Sequence, residues 1–429
     1  MAYQTDPKLQ NAVVYSLYVR NHSPEGTFRA VIPDLDRIRA LGTDILWLLP
    51  IHPIGVQGKK GSLGCPYANQ DYRTVNPAYG TMEDFRALVD AIHARGMKCM
   101  IDVVYNHTSP DSTLYREHPD FFYHNAQGRP GNKVGDWADV IDLDYGNTEL
   151  WDYQIQSLCQ WARLVDGFRC DVASLVPVDF WKWARQAVKA VRPDCIWLAE
   201  TVHLSFGNQV RRSGFRCDRD PELFEIFDIE YQYDIWEDFT RYLRGEAPLS
   251  RFLEMLNVQE ALYPVNYNKL RFLENHDQPR IASRVRSEKA LVSFTAMLYF
   301  LKGTTLLYAG QEFADTHLPS LFDKEPIDRQ TGRDLSPLLA RLNQIKKQAL
   351  APDDFFFARA DDENAIAILE RVNRDGRKLG LFPLEARGAA VSLDVPDGVY
   401  RNLMDDSQIP VRGGQLLCPD TPVIFTLPR

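Results

Sequence analysis

A chain of 429 residues, 45% of them hydrophobic and 25% charged, can bury a large core and is not a disordered or fibrous polymer. Its formal charge of −9 argues against an electrostatic search for nucleic acid or an acidic membrane surface, and suits an uncharged substrate. The start, Met1-Ala-Tyr-Gln-Thr-Asp6, lacks the basic and apolar regions of a secretory leader. The seven cysteines have an odd count without repeating spacing, so reduced thiols and a cytoplasmic home are expected.

Strand-like and helix-like segments alternate from residue 11 to about 350, which predicts a parallel sheet with helical crossovers. Strands are read at 13–19, 45–49, 98–103, 167–171, 196–200, 224–228, 270–274 and 304–308. Between the second and third, Thr81 caps a helix and Asp84 answers it three positions on. Met82, Phe85, Val89 and Ile92 form the inner face of that helix, and Gly96 stops it. After His107 a long polar, aromatic and turn-rich excursion runs through Phe121-Phe-Tyr-His124, Pro130-Gly131 and Trp137, followed by a helix at 148–164. Long loops of this kind tend to be functional, and this one reads as a small subdomain over the barrel mouth. The most apolar helix, 290–301, is too short to span a membrane and contains Ser293 and Thr295. Past about residue 355 the helical signal ends. Alternating runs at 365–369, 379–382, 391–395 and 423–427 follow, separated by turns at Asp375-Gly376, Pro396-Asp-Gly398 and Gly413-Gly414.

The expected architecture is therefore α/β. Residues 1–107 and 165–352 form a (β/α)8 barrel, 108–164 an insert after the third strand, and 353–429 an antiparallel β-sandwich. In such a barrel the chemistry sits at the C-terminal ends of the strands. Four acidic residues fall there: Asp102, Asp171 in Gly167-Phe-Arg-Cys-Asp171, Glu200 in Ile196-Trp-Leu-Ala-Glu200, and Asp277 after Arg271-Phe-Leu-Glu-Asn-His276. An aspartate after a strand is often only a helix cap or a solvated turn. Four on one rim suit glycosidic bond cleavage.

Asp102-Val-Val-Tyr-Asn106-His107, Gly167-Phe-Arg169-Cys-Asp171, Glu200 and Glu274-Asn-His276-Asp277 resemble, in order and position, the signatures of the α-amylase family, glycoside hydrolase family 13. The resemblance covers essentially the whole chain and implies a retaining mechanism on α-linked glucosides. By this resemblance Asp171 is the nucleophile, Glu200 the general acid/base, and Asp277 the carboxylate that stabilises the distorted, charge-developing sugar. Arg169, His107 and His276 match sugar-contacting positions, and Tyr67 in Pro66-Tyr-Ala-Asn-Gln-Asp71 resembles the tyrosine that stacks at the cleavage point. Asp102 reads as a supporting partner. No cofactor is required. A structural calcium, for which Asn106 and Asp142 match ligand positions, is implied by the family but weakened here. Ser174 and Leu175 stand where many starch-cleaving members carry Lys and His near that ion.

Retention needs two carboxyl groups roughly 5 Å apart, one attacking the anomeric carbon while the other protonates the departing oxygen. Arg169 shares a strand face with Asp171 and is expected to lower its pKa. Trp197, Leu198 and nearby carboxylates are expected to raise that of Glu200. The expected substrates are starch-derived malto-oligosaccharides. The rivals are a 4-α-glucanotransferase using the same intermediate, which acceptor-side aromatics would distinguish, with His203 and Phe206 as unplaced candidates, and a catalytically silent carbohydrate-binding barrel. The sequence leaves the oligomeric state open.

Overall fold

The computed structural model describes residues 5–135 and 137–428; residues 1–4, part of the stretch read for a secretory leader, lie outside the described residues. In chain order the strands are β1 (Val13–Leu17), β2 (Ile45–Leu48), β3 (Lys98–Val103), β4 (His107–Thr108), β5 (Ile141–Asp142), β6 (Gly167–Cys170), β7 (Ile196–Ala199), β8 (Ile229–Tyr231), β9 (Lys269–Arg271) and β10 (Thr304–Tyr308). Eight of them, β1, β2, β3, β6, β7, β8, β9 and β10, close into one barrel. Every barrel pairing is parallel, β1 meeting both β2 and β10. Their residues are buried on both faces, as expected for strands wrapped by helices.

The wrapping helices are α1 (Leu35–Ala40), α2 (Met82–Ala94), α3 (Thr148–Ala162), α4 (Val178–Lys189), α5 (Leu204–Arg212), α6 (Tyr233–Leu243), α7 (Leu249–Leu262), α8 (Glu288–Phe300) and α9 (Ser336–Ala349). The start of α2 is the capping box read from sequence. The Thr81 hydroxyl accepts from the Asp84 N–H at 3.2 Å, and the Thr81 N–H donates to the Asp84 carboxylate at 2.9 Å. Phe85, Val89 and Ile92 are buried, and the chain turns away at Gly96 with φ +68°.

One strand was misplaced. Residues 224–228 are not the sixth barrel strand: Phe224 ends a helical turn, its N–H donating to Asp220 O at 3.0 Å, and the strand begins at Ile229. Over so short an apolar run, the buried face of a helical turn and a buried strand look alike. Asp228 instead sits at the start of β8, where its carboxylate accepts from the Trp197 N–H at 2.9 Å.

Between β3 and β6, β4 and β5 pair antiparallel, with His107 opposite Asp142. Beyond α9 the chain forms β11 (Phe355–Asp361), β12 (Ile366–Asn373), β13 (Gly376–Pro383), β14 (Ala389–Ser392), β15 (Gly398–Arg401), β16 (Gln408–Arg412), β17 (Gln415–Cys418) and β18 (Val423–Pro428). They make two four-stranded sheets, ordered β11-β12-β13-β18 and β14-β17-β16-β15. The sheets enclose their own apolar core, which includes Ile368, Leu381, Val391, Leu416 and Phe425. The first sheet packs on the barrel through β11, where Asn257 on α7 exchanges two 2.8 Å hydrogen bonds with the Ala358 backbone. All seven cysteines are free. Among the described residues no helix is long and apolar enough to cross a membrane.

Candidate active site

Strand register builds the site. β6 and β7 pair with Cys170 opposite Ala199, so Asp171 and Glu200 leave adjacent strand ends side by side. The Asp171 N–H donates to Val103 O and the Glu200 N–H to Cys170 O, both at 3.0 Å, which carries the ladder up to the rim. Arg169 points into the barrel and is fully buried. Its Nη1 donates to Asp171 Oδ1 at 2.7 Å and to Asp102 Oδ1 at 2.9 Å, while Nη2 lies 2.9 Å from Glu200 Oε1. Asp171 is thus hydrogen-bonded to one nitrogen of the guanidinium, and Glu200 is ion-paired with its neighbour. One buried cation lies between two carboxyl groups on adjacent strand ends.

Tyr67, His276, Asp102 and Asp277 form the polar flank of this pair. The Tyr67 hydroxyl donates to Asp102 Oδ2 at 3.0 Å and lies 2.7 Å from His276 Nε2; the two rings stack with centroids 5.4 Å apart. His276 Nε2 lies 3.1 Å from Asp277 Oδ2, whose side chain is 42% exposed to the cleft. Asp277 is fixed from behind, because its N–H donates to Asn275 Oδ1 at 2.8 Å. Glu274, the preceding carboxylate, accepts from Arg280 Nη1 at 2.7 Å and from the Ile281 N–H at 2.8 Å, clamping the loop that carries His276 and Asp277. His107 is buried with Nε2 4.0 Å from Asp171 Oδ2, and Asn106 Nδ2 donates to its Nδ1 at 3.1 Å. This leaves Nε2–H facing the Asp171 carboxylate.

The electrostatics differ from the simple expectation for Asp171. Burial raises its pKa to about 6; Arg169 pulls it down, but the Asp102 and Asp277 charges support the rise, so the net shift is upward. Glu200 is raised further, to about 7, by burial and then by Asp171 and Asp277, against the opposing pull of Arg169. Asp102 reaches about 6, again by burial opposed by Arg169. Asp277 goes the other way: burial raises it, but His276 and Arg169 outweigh that and hold it below the ordinary range. Trp197 takes no part in the setting of Glu200. It faces outward, packed on Phe168, Trp181 and Phe227 with centroids 5.5 to 6.3 Å away.

The domain description Alpha amylase, catalytic domain, matches residues 10–138 and 133–352. The chain belongs to the α-amylase family, glycoside hydrolase family 13. The description Bacterial Alpha amylase C-terminal domain matches residues 357–425. The crystal structure of an α-amylase from Lactobacillus plantarum is similar, with a TM-score of 0.94 and 45% identity, covering 98% of this chain and all of that one. An intracellular maltogenic amylase of Bacillus subtilis is 26% identical over 344 residues, 75% of this chain and 55% of that protein. An α-1,4-glucan:maltose-1-phosphate maltosyltransferase of Rhodospirillum rubrum is 27% identical over 405 residues, 84% of this chain and 55% of that protein. The chain spans about half the length of the curated relatives it matches.

In this α-amylase-family barrel the residues matching a calcium site do not fit the ion. Asp142 accepts from the Lys133 N–H at 2.7 Å, from Asn132 Nδ2 at 3.4 Å and from Asn106 Nδ2 at 3.5 Å. The Lys133 ammonium donates to Leu143 O at 2.7 Å and lies in the field of Asp142 and Asp144. Calcium needs six to eight converging oxygens. Here N–H donors occupy both Asp142 oxygens and a lysine cation takes Leu143 O, so these oxygens do not converge on a cation site. Among the described residues no group of three or more His, Cys, Asp and Glu side chains is placed to hold a metal.

Sequence reasoning missed the aromatic walls around Arg169. Trp47 on β2 and Tyr231 on β8 each lie 5.3 Å from its guanidinium carbon, and Tyr67 lies 5.6 Å away. These rings stabilise the buried cation and fix its fork. Misplacing β8 hid Tyr231; strand alternation from Ile45 would have turned Trp47 inward. His203 and Phe206, the two candidate acceptor-side aromatics, part company. His203 stacks on Tyr233 at 4.2 Å, while Phe206 turns toward the insert, 6.0 Å from Trp137.

Proposed function

We propose that the protein is a retaining glycosidase that cleaves α-1,4-linked malto-oligosaccharides through a glycosyl-Asp171 intermediate. The observation that carries this reading is the buried guanidinium of Arg169, 2.7 Å from Asp171 and 2.9 Å from Glu200 on adjacent strand ends, with burial raising the pKa of both carboxyl groups. Asp171 attacks the anomeric carbon as Glu200 gives its proton to the departing oxygen. Glu200, now ionised, then takes a proton from water, whose oxygen displaces Asp171 with a second inversion. Asp277 stabilises positive charge on the ring carbon and oxygen, and Asp102, joined to Arg169 and Tyr67, supports the array. His107 and His276 orient the donor sugar by its hydroxyls, and Tyr67 presents its ring to the sugar's apolar face. The chemistry uses these side chains alone and needs no cofactor; an uncharged glucan is the partner. The intracellular relative and the free thiols support a cytoplasmic home.

Transfer to a sugar hydroxyl instead of water is the second reading, supported by the likeness to a maltosyltransferase. The test is incubation with maltoheptaose, followed by NMR of the new reducing ends and chromatography of chain lengths. Short products released as the α-anomer support the hydrolase, and longer oligosaccharides support transfer. First release as the β-anomer, or no turnover by folded protein, refutes the mechanism.

A further inference from the structure

The last barrel helix, α9, faces the C-terminal domain across a cavity. On α9, Arg341, Gln344, Ile345 and Gln348 share one helix face, being spaced three and four positions apart. On the opposing sheet, Lys378 of β13 pairs directly with Thr426 of β18, so the two side chains share one face. These faces, with Arg401 of β15 and Leu403, enclose about 580 Å³, a volume in the range of small-molecule sites. Neither Asp171 nor Glu200 nor any residue bonded to them contributes to the lining.

The cavity is cationic at one end. Arg341 Nη2 and Arg401 Nε each donate to Asp406 Oδ1 at 2.9 Å, and Arg401 Nη2 lies 2.7 Å from the same oxygen. Arg341 Nε donates to Leu403 O at 2.8 Å, which fixes this guanidinium between α9 and the C-terminal domain. One carboxylate oxygen thus serves two guanidinium groups, and Nη1 of each has no partner among the described residues. Lys378 is nine-tenths buried with its ammonium 3.2 Å from Asp354 Oδ1, yet Asp354 is shared too, its Oδ2 lying 3.4 Å from Arg371 Nε. Arg377 also lines the cavity but is engaged by Glu370 and the Asp394 carbonyl. Asp375, at the β12–β13 turn, is the single carboxylate among the lining residues, in a chain whose net charge is −9. The remaining wall is neutral and polar. Gln344, Gln348 and Thr426 are exposed and offer amide and hydroxyl groups over the apolar floor of Ile345.

We infer that this cavity binds a hexose phosphate, with the phosphate on the open edges of Arg341 and Arg401 and the sugar hydroxyls on Gln344, Gln348 and Thr426. A guanidinium presents paired N–H groups that match phosphate oxygens, and amides exchange hydrogen bonds with hydroxyls in either sense. A neutral sugar leaves the arginines unused, and inorganic phosphate leaves the amides unused. The bound ligand touches α9 and the C-terminal sheets together, tying the barrel to the second domain. The inference does not depend on the catalytic reading.

The test is titration calorimetry of the whole protein with glucose 6-phosphate, orthophosphate and glucose, in about 0.15 M NaCl to screen loose surface attraction. Glucose 6-phosphate is expected to bind with Kd below about 1 mM, at least about tenfold tighter than orthophosphate or glucose. Arg401→Ala removes a side chain that is 69% exposed, so the fold is kept while the affinity falls about tenfold or more. Gln344→Ala is expected to weaken glucose 6-phosphate but not orthophosphate, and both variants keep the parent's turnover of maltoheptaose. A sugar phosphate could instead enter the catalytic cleft, so the titration is repeated on Asp171→Asn in excess maltoheptaose, where the affinity is expected to be unchanged. Absence of binding, equal affinity for the three probes, parent affinity in Arg401→Ala, or displacement by maltoheptaose each overturns the inference. None of these results bears on the roles of Asp171 and Glu200.

Discussion

The acid role of Glu200 is open to a direct test. Its raised pKa, about 7 against an ordinary 4.5, lifts the protonated fraction at neutral pH from about 0.3% to about half, roughly 150-fold more competent acid. With Asp171 near 6, kcat/KM on maltoheptaose is expected to follow a narrow bell. It falls in acid as Asp171 protonates at about 6 and in alkali as Glu200 ionises at about 7. These limbs belong to the coupled pair, and even at the optimum only about 60% of the enzyme carries both groups in the working state. The perturbation is a change of leaving group. Fluoride departs without a proton, so α-maltosyl fluoride is expected to lose the alkaline limb and keep the acid one. In Glu200→Gln, kcat/KM on maltoheptaose is expected to fall about 10³-fold, and on the fluoride far less. Stopped assays across pH 4.5 to 9 with both substrates decide the matter. If the fluoride retains the alkaline limb, or the variant hydrolyses maltoheptaose within tenfold of the parent, Glu200 is not the acid.

Asp171→Asn cannot form the glycosyl ester, and a loss of about 10⁴-fold or more in kcat is expected with oligosaccharide affinity kept; calorimetric binding beside residual turnover checks both, and activity within tenfold rejects the nucleophile. Because the Asp142 oxygens already accept from N–H donors and the Lys133 ammonium donates to Leu143 O close by, dialysis against EDTA is expected to change neither Tm nor rate, whereas Lys133→Ala lowers Tm; a Tm that drops on chelation removes that argument. Arg280→Ala leaves Glu274 buried without its cation and frees Ala309 O and His317 O, so a loss of about 3–5 kcal/mol is expected in urea unfolding. The paired change Arg280→Met with Glu274→Leu recovers part of that loss if the burial argument is right.

How far the sequence could be read depended on the length of the signal. The barrel was legible because parallel strands are continuous apolar runs, and α2 because Thr81, Asp84 and Gly96 mark its ends through local backbone chemistry. Asp171 and Glu200 were legible for the same reason, since each follows directly on a strand, and Asp102 because it lies near the end of one. Short elements were not. The helical turn before β8 mimicked a strand, and β11, β15, β16 and β17 went unread because edge and surface strands such as Phe355–Asp361 leave alternate apolar residues exposed. The sign of the Asp171 shift was also beyond sequence reach. Arg169 sits two positions away in the chain, but the outcome depends on burial and on Asp102 and Asp277, which only the closed barrel brings close.

The same electrostatics tie activity to stability. Glu200 binds its proton more tightly in the folded chain than in the unfolded one, where its pKa is near the ordinary 4.5. Its neutral form is therefore tolerated fully below about pH 4.5, and stability is lost as pH rises from there through about 7, after which the loss is constant. A rise of this size corresponds to about 3 kcal/mol, the net of desolvation and the attraction of Arg169. A glutamine has no such charge. Relative to the parent, Glu200→Gln is therefore expected to gain melting temperature across that window, by at most about 4 °C for a chain of this length. Calorimetric scans at pH 4.5 and pH 8 make the comparison, with a gain at the higher pH alone. If the variant melts no higher relative to the parent at pH 8 than at pH 4.5, the Glu200 carboxyl is solvated rather than held uncharged by burial. The acid limb and alkaline limb of activity would then need another source.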